Sequence, residues 1–517
     1  MDMMKHQPSR WRRFRLWLTA SPWPLIILLT LAVHLSWILP WLRTPPDAVY
    51  TGYVGGGDDY WSYLAKMRQG WDGQWRWTNL YSPTGEASWF LYPFYLALGN
   101  VTRWVGADFT HLPVVFHLSA LVLTPAVLWL IWRLTLRVVP ESSGRLWSLI
   151  LAFAASAGTI LLLFVQQEVD RLHVLDMYPA PHPYVASMIY PHYLVNLLGM
   201  MGAILLLFRY LEAPRWQHLL SALLCIGAVT MVHPHVAAFT VVVMGVYSLT
   251  LPGAARWQGI TFSVIAGVGA LPYGLYLLSI LHHPELQSWR SAAVQGPPEW
   301  YLQPFWLGLS VPLAVLAAPG AYREGRASRL MVIWLAAAYV LSNARLPLTA
   351  GGAELLMGLS VPAGLLVGRI LGKWPGVWRE SVGAVTLAGA LYMVAALTMD
   401  GTASPDLGST LSQVYITRSE IGRLAEFATP VSKGAILAPK GIMAKLPWLT
   451  GRRVVYGHTT ETPGGTATRN QAEALCKNDI SLPERDALLR RYRISAVLTA
   501  PGGTGENDGL ACVDPTQ

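Results

Sequence analysis

Charge is what this sequence has least of. Lysine, arginine, aspartate and glutamate together make up 13% of the 517 residues, about half the share an ordinary soluble domain uses to stay in water. So sparing a use of charge excludes a water-soluble globule of this length, and the mean hydropathy of +0.37 agrees. Cysteine is nearly missing too, with three in the whole chain, which excludes a disulfide scaffold and a cysteine-rich zinc centre. Neither HExxH nor a pair of CxxC motifs occurs. The glycine-rich "TPGGT" and "PGGTGENDG" lack the Lys-Ser/Thr of a phosphate loop and read as turns. A small-x-small cleavage site is absent after the basic N-terminus, so its long apolar stretch reads as a retained first helix.

Long apolar runs fill the gap. "WPLIILLTLAVHLSWILPWL" from Trp23 and "LILAFAASAGTILLLFV" from Leu149 are each near the roughly 20 residues that a bilayer core requires. Hydropathy with basic loops as inside markers predicts about eleven membrane helices, at 23–42, 112–136, 146–166, 190–211, 217–233, 235–252, 259–281, 303–320, 329–346, 353–372 and 380–399. The connections then sort by charge. One side holds seventeen basic residues against five acidic; the other, before residue 400, holds eight against twelve. The net charge of +9 therefore reflects basic loop clusters, not a stripe for nucleic acid, which is not an expected partner. This pattern places the protein in the cell (inner or plasma) membrane as a multi-pass chain. Its N-terminus is expected in the cytoplasm and its C-terminus outside.

The expected fold is an α-helical polytopic membrane protein with a small C-terminal α/β extracytoplasmic domain. Residues 1–399 would form the transmembrane domain and 400–517, polar and rich in Gly, Pro and Thr, the outer domain. Within the latter, "GAILAP", "RRVVYGH" and "ISAVLTA" read as strands and "PERDALLRRY" as a helix. The first outer loop, 43–111, is too long for a connector. Tyr60, Leu64, Met67 and Trp71 recur in it at helical spacing, which suggests a helix lying on the membrane surface. A second surface helix is expected over "SWFLYPFYLALGNVTRWV". Cys225 reads as an apolar filler; for Cys476 and Cys512, in the outer domain, a disulfide and two free thiols both stay open.

The first outer loop opens with "GGGDDYW", and its adjacent Asp58 and Asp59 are the strongest candidates for chemistry. An aspartate is a favoured helix cap, which accounts for one. A second carboxylate at a membrane face is costly without a cation, metal or substrate to meet it. On the same expected side fall Asp170, His173, Asp176, His182 and His192 in the second outer loop, then His233 and His235 in "MVHPHVA". Each alone reads as an interfacial residue; together they suggest a cavity. Arg345, in "LSNARLPLTAGG", is either a snorkelling arginine or a clamp for a lipid phosphate.

This arrangement resembles the GT-C class of membrane glycosyltransferases. The stretch "GGGDDYWSYLAKMRQGWDGQWRWTNLYSPTGEASWFLYPFYLALG", with "GRRVVYGHTTETPGG" and "LLRRYRISAVLTAP" near the end, also resembles a set of bacterial multi-pass membrane proteins. The resemblance implies a sugar donor on a polyprenyl phosphate and a glycan, lipid or protein acceptor. Asp59 or Asp58 would be the general base of an inverting hexosyl or pentosyl transfer, Asp59 preferred because Asp58 is the better-placed cap. Arg345, Lys66, His182, His192, His235 and Asp170 would meet the substrate and the lipid phosphate. A divalent metal on Asp58 and Asp59, as some GT-C branches use, stays open. Two other readings compete: a non-catalytic assembly partner, and a lipid or glycan transporter. A transporter would show internal repeats and ionisable groups near helix midpoints, and neither is seen.

Overall fold

The computed structural model describes residues 21–55, 57–85, 87–155, 180–287, 307–344, 354–402, 414–427, 434–438, 440–477, 480–499 and 511–513. Helices dominate, and the chain divides into two compact units. One comprises 1–35, 120–271 and 296–395; the other comprises 36–119, 272–295 and 396–517.

Among the described residues, Trp23–Leu42, Phe109–Val138 and Pro191–Glu212 are long and apolar enough to cross a membrane. A fourth span results if Gly253–Val268 and Leu271–Ile280 are counted as one. The eleven spans expected from hydropathy are not confirmed by this, since the expected spans 146–166, 303–320 and 329–346 run partly through residues outside the described ones. Proline and glycine cut several apolar runs short: His233 turns extended before Pro234, ending Trp216–Val232 and starting Pro234–Leu249. A helix such as Ser360–Leu371, 12 residues long, rises only about 18 Å against a hydrocarbon core of about 30 Å.

In the first unit, helix packing relies on small residues. Ser142–Ala154 lies against Ser360–Leu371, where a Cβ on Gly364 or Gly368 would strike Ala152 or Ser148. The contact is locked by the Ser360 hydroxyl, which donates to the Ala152 carbonyl at 2.6 Å. Close backbone approach through small residues is how apolar helices gain affinity without a hydrophobic driving force.

The second unit is built on the Gly57–Trp71 helix. Its apolar stripe is covered by protein, not lipid: Tyr60, Leu64 and Met67 are buried in a core with Phe116, Tyr95, Trp448 and Leu449. The expected surface helix is thus a core helix, because the C-terminal segment supplies the apolar partners that lipid was expected to supply. Pro93–Trp104 crosses it closely: a Cβ on Gly99 would run into the Met67 carbonyl, and one on Gly70 into that of Leu96. Ala48–Tyr50 pairs antiparallel with Tyr415–Thr417. Ala435–Leu437 runs parallel to Ile494–Thr499, which pairs antiparallel with Ala511–Val513. The strand expected at Arg452 reduces to a single bridge, Val454 to Ile436. "PERDALLRRY" falls within the Leu482–Arg491 helix, as expected. The side chains of Cys476 and Cys512 lie outside the described residues.

Candidate active site

Two short stretches almost 400 residues apart in sequence make the site. Gly57, at φ +56°, turns the chain into its helix, and Asp58 and Asp59 occupy the first turn. Unpaired backbone N–H groups and the positive end of the helix dipole favour carboxylates there. Ser62 and Lys66 follow on the same face, one and two turns along. Facing them is the segment 458–462, a tight turn closed by the Thr462 N–H on the His458 carbonyl at 3.1 Å.

Asp59 is half-exposed, and its Oδ1 lies 2.9 Å from Nε2 of the buried His458. The backbone N–H groups of Glu461 and Thr460 point at His458 Nδ1, at 3.1 and 3.2 Å. Nδ1 is therefore the acceptor, and Nε2 carries the proton that it donates to Asp59. Burial disfavours a charged His458, but the Glu461 anion and the bond to Asp59 outweigh it and raise its pKa. The neighbouring Asp58 accepts from the Thr459 hydroxyl at 2.9 Å, a bond to the facing segment.

Beneath the carboxylates lies an ion pair. Lys66 is 1% exposed; its Nζ sits 2.6 Å from Glu461 Oε1 and 2.6 Å from the Ser62 hydroxyl, which itself donates to Glu461 at 2.8 Å. The rings of Tyr92 and Tyr63 flank the ammonium, their centroids at 3.9 and 4.9 Å. Burial lowers the Lys66 pKa despite the Glu461 charge. For Glu461, burial alone would push the pKa up, but Lys66 and His458 hold it below the usual carboxylate range. Asn79 completes the clasp by donating to the Glu461 carbonyl at 2.7 Å. Tyr81 lies with its ring 5.6 Å from that of His458, kept protonated by burial and by the nearby carboxylates.

Of the residues expected from sequence, Lys66 thus joins the two aspartates, its ammonium committed to Glu461 inside the protein. His192 and His235 come together in the other unit. Each is the second residue of a helix opened by proline, and both rings pack on His233, at 5.2 and 5.4 Å. His233 Nδ1 is 2.5 Å from the Asn196 amide. His182 is buried elsewhere in that unit, donating from Nδ1 to the Ala155 carbonyl at 3.0 Å. Arg345 and Asp170 lie outside the described residues. Sequence reasoning passed over His458, Thr459 and Glu461. Their signal was the "GHTTE" of the C-terminal stretch, singled out for its resemblance but not for its side chains. Among the described residues no three His, Cys, Asp or Glu side chains are placed to hold a metal ion.

By sequence, no family model and no curated protein matches the chain. Solved structures match by shape. The archaeal oligosaccharyltransferase AglB of Archaeoglobus fulgidus, in complex with an inhibitory peptide and a dolichol-phosphate, superposes at TM-score 0.54 and 10% identity, over 94% of this chain and 70% of that one. An Archaeoglobus fulgidus oligosaccharyltransferase in the apo form gives TM-score 0.56 at 10% identity, over 95% of this chain and 70% of that one. The mycobacterial arabinofuranosyltransferase AftD gives TM-score 0.55 and 14% identity, over 94% of this chain but 36% of its own. AglB and AftD are GT-C class glycosyltransferases. The chain has the GT-C fold. Its membrane character follows from that fold and from the apolar helices.

Proposed function

We propose that this GT-C protein transfers a sugar from a polyprenyl-phosphate donor to a glycan, lipid or protein acceptor on the extracytoplasmic face, with inversion. Asp59 is the general base. It removes the acceptor's hydroxyl proton as that oxygen attacks the anomeric carbon, and the lipid phosphate departs. His458 holds Asp59 through Nε2–H, and the Lys66–Glu461 pair holds the His458 segment in place. Asp58, tied to Thr459, assists. The observation that carries this reading is the half-exposed Asp59 bonded to a buried histidine at the start of a helix. A base needs both features: access for the acceptor and a fixed carboxylate.

The test is transfer from radiolabelled polyprenyl-phosphate sugars by the purified protein. Asp59→Asn is expected to lower turnover roughly 10²–10⁴-fold, the usual share of a general base, and Asp58→Asn by less. If both variants matched wild type, the assignment would be lost.

A further inference from the structure

Away from the carboxylates, a cleft of about 160 Å³ opens between the last turns of two helices, Leu112–Val138 and Pro191–Glu212. Trp129, Arg133 and Arg137 succeed one another at four-residue intervals on the first helix, and Gly202, Leu205, Leu206 and Arg209 share a stripe of the second. Leu130 completes the wall. Gly202 makes the room: a Cβ there would meet nothing but the Cys225 sulfur, at ordinary contact distance. Trp129 is fixed from behind by Trp23, stacked at 5.1 Å.

Three guanidinium groups line this one cleft, and among the described residues a single carboxylate answers them. Arg137 is bidentate on Glu212, at 2.5 and 3.1 Å, and Glu212 also feels Arg209. Arg133 has no carboxylate partner among the described residues; it lies over the Trp129 ring, 5.7 Å from its centroid. The cleft is cationic at the helix ends and apolar toward the helix middles. Both helices belong to apolar segments long enough to span a bilayer, so these ends lie at headgroup depth.

We propose that this cleft binds one anionic phospholipid, its phosphate on Arg133 and Arg209 and an acyl chain along Leu130, Leu205 and Leu206. Guanidinium matches phosphate geometry, and basic pockets between membrane helices are where acidic headgroups lodge. The inference does not rest on the sugar-transfer reading.

Native mass spectrometry of the full chain in detergent tests it, with phosphatidylglycerol and phosphatidylcholine offered separately. One phosphatidylglycerol adduct is expected to persist where phosphatidylcholine adducts are lost. Arg133→Gln leaves no acidic partner orphaned, so it is expected to fold as wild type does while weakening retention roughly five-fold, the contribution of one basic residue at an anionic surface. Arg209→Gln should act in the same direction, whereas Arg133→Lys should retain part of the binding. Millimolar inorganic phosphate is expected to leave the adduct intact. Equal retention of both lipids would overturn the proposal, as would indifference to both Gln variants, or displacement of the lipid by inorganic phosphate.

Discussion

At the scale of single residues, the site turns on how a carboxylate is held. Asp58 and Asp59 are adjacent and have the same chemistry, yet they differ in their partner. A threonine hydroxyl rotates freely, whereas the His458 ring is buried and fixed at Nδ1 by two backbone N–H groups. The ring therefore aims its Nε2–H at one Asp59 oxygen with little freedom to lose. This predicts a split between two variants. His458→Gln keeps an N–H donor near the same place and is expected to retain most turnover. His458→Phe keeps the ring's bulk without the donor and is expected to lose about 100-fold in kcat at unchanged KM, the scale of a misplaced catalytic group. Transfer assays on both variants decide: a Gln variant as poor as the Phe variant, or a Phe variant as good as wild type, would remove the orienting bond from the mechanism. The acidic pair was legible from sequence because two adjacent carboxylates stand out in so apolar a chain. His458 was not, because a histidine 399 residues away carries no local mark of its partner.

Among the elements, the Gly57–Trp71 helix positions most of the site, and it is placed by its crossing with Pro93–Trp104. The two backbones touch at Gly70 and Gly99, where even a methyl group would strike a carbonyl. Gly99→Ala must push the helices apart and is expected to cost about 1–3 kcal/mol, as overpacking does. Because Asp59 rides on the displaced helix, transfer activity should fall as well. Gly245→Ala, at a helical position with nothing within 4 Å of the added carbon, is the control and should cost nothing. Thermal unfolding of the purified protein compares them; equal melting temperatures would refute the crossing argument. Helix periodicity was readable here, with Tyr60, Leu64 and Met67 marking an apolar stripe. What covers such a stripe was not readable, since lipid and protein demand the same residue types. The glycines that decide the crossing look like ordinary punctuation in sequence.

Within the unit that holds the carboxylates, segments from both halves of the chain share one core, and that core buries cations as well as rings. Lys445 lies at 5.0 Å over the Trp61 ring, and burial pushes its pKa from 10.5 down to about 8, with Glu420 only partly opposing. Lys66 is lowered in the same direction. In the unfolded chain these lysines keep their protons to about 10.5, so as pH rises past about 8 the native state sheds protons that the unfolded state still holds. Stability then rises with pH, since it increases wherever the unfolded state binds more protons. The sign reverses above about 10, where the buried Tyr60 and Tyr81, raised well above 10.0, keep protons that the unfolded chain releases. Thermal unfolding followed from neutral to strongly alkaline pH is therefore expected to pass through a maximum between these limits. Lys445→Met should flatten the rising limb, leaving only what Lys66 contributes, while the falling limb stays. A rising limb unchanged in that variant would mean that Lys445 is not the cation that the folded core disfavours.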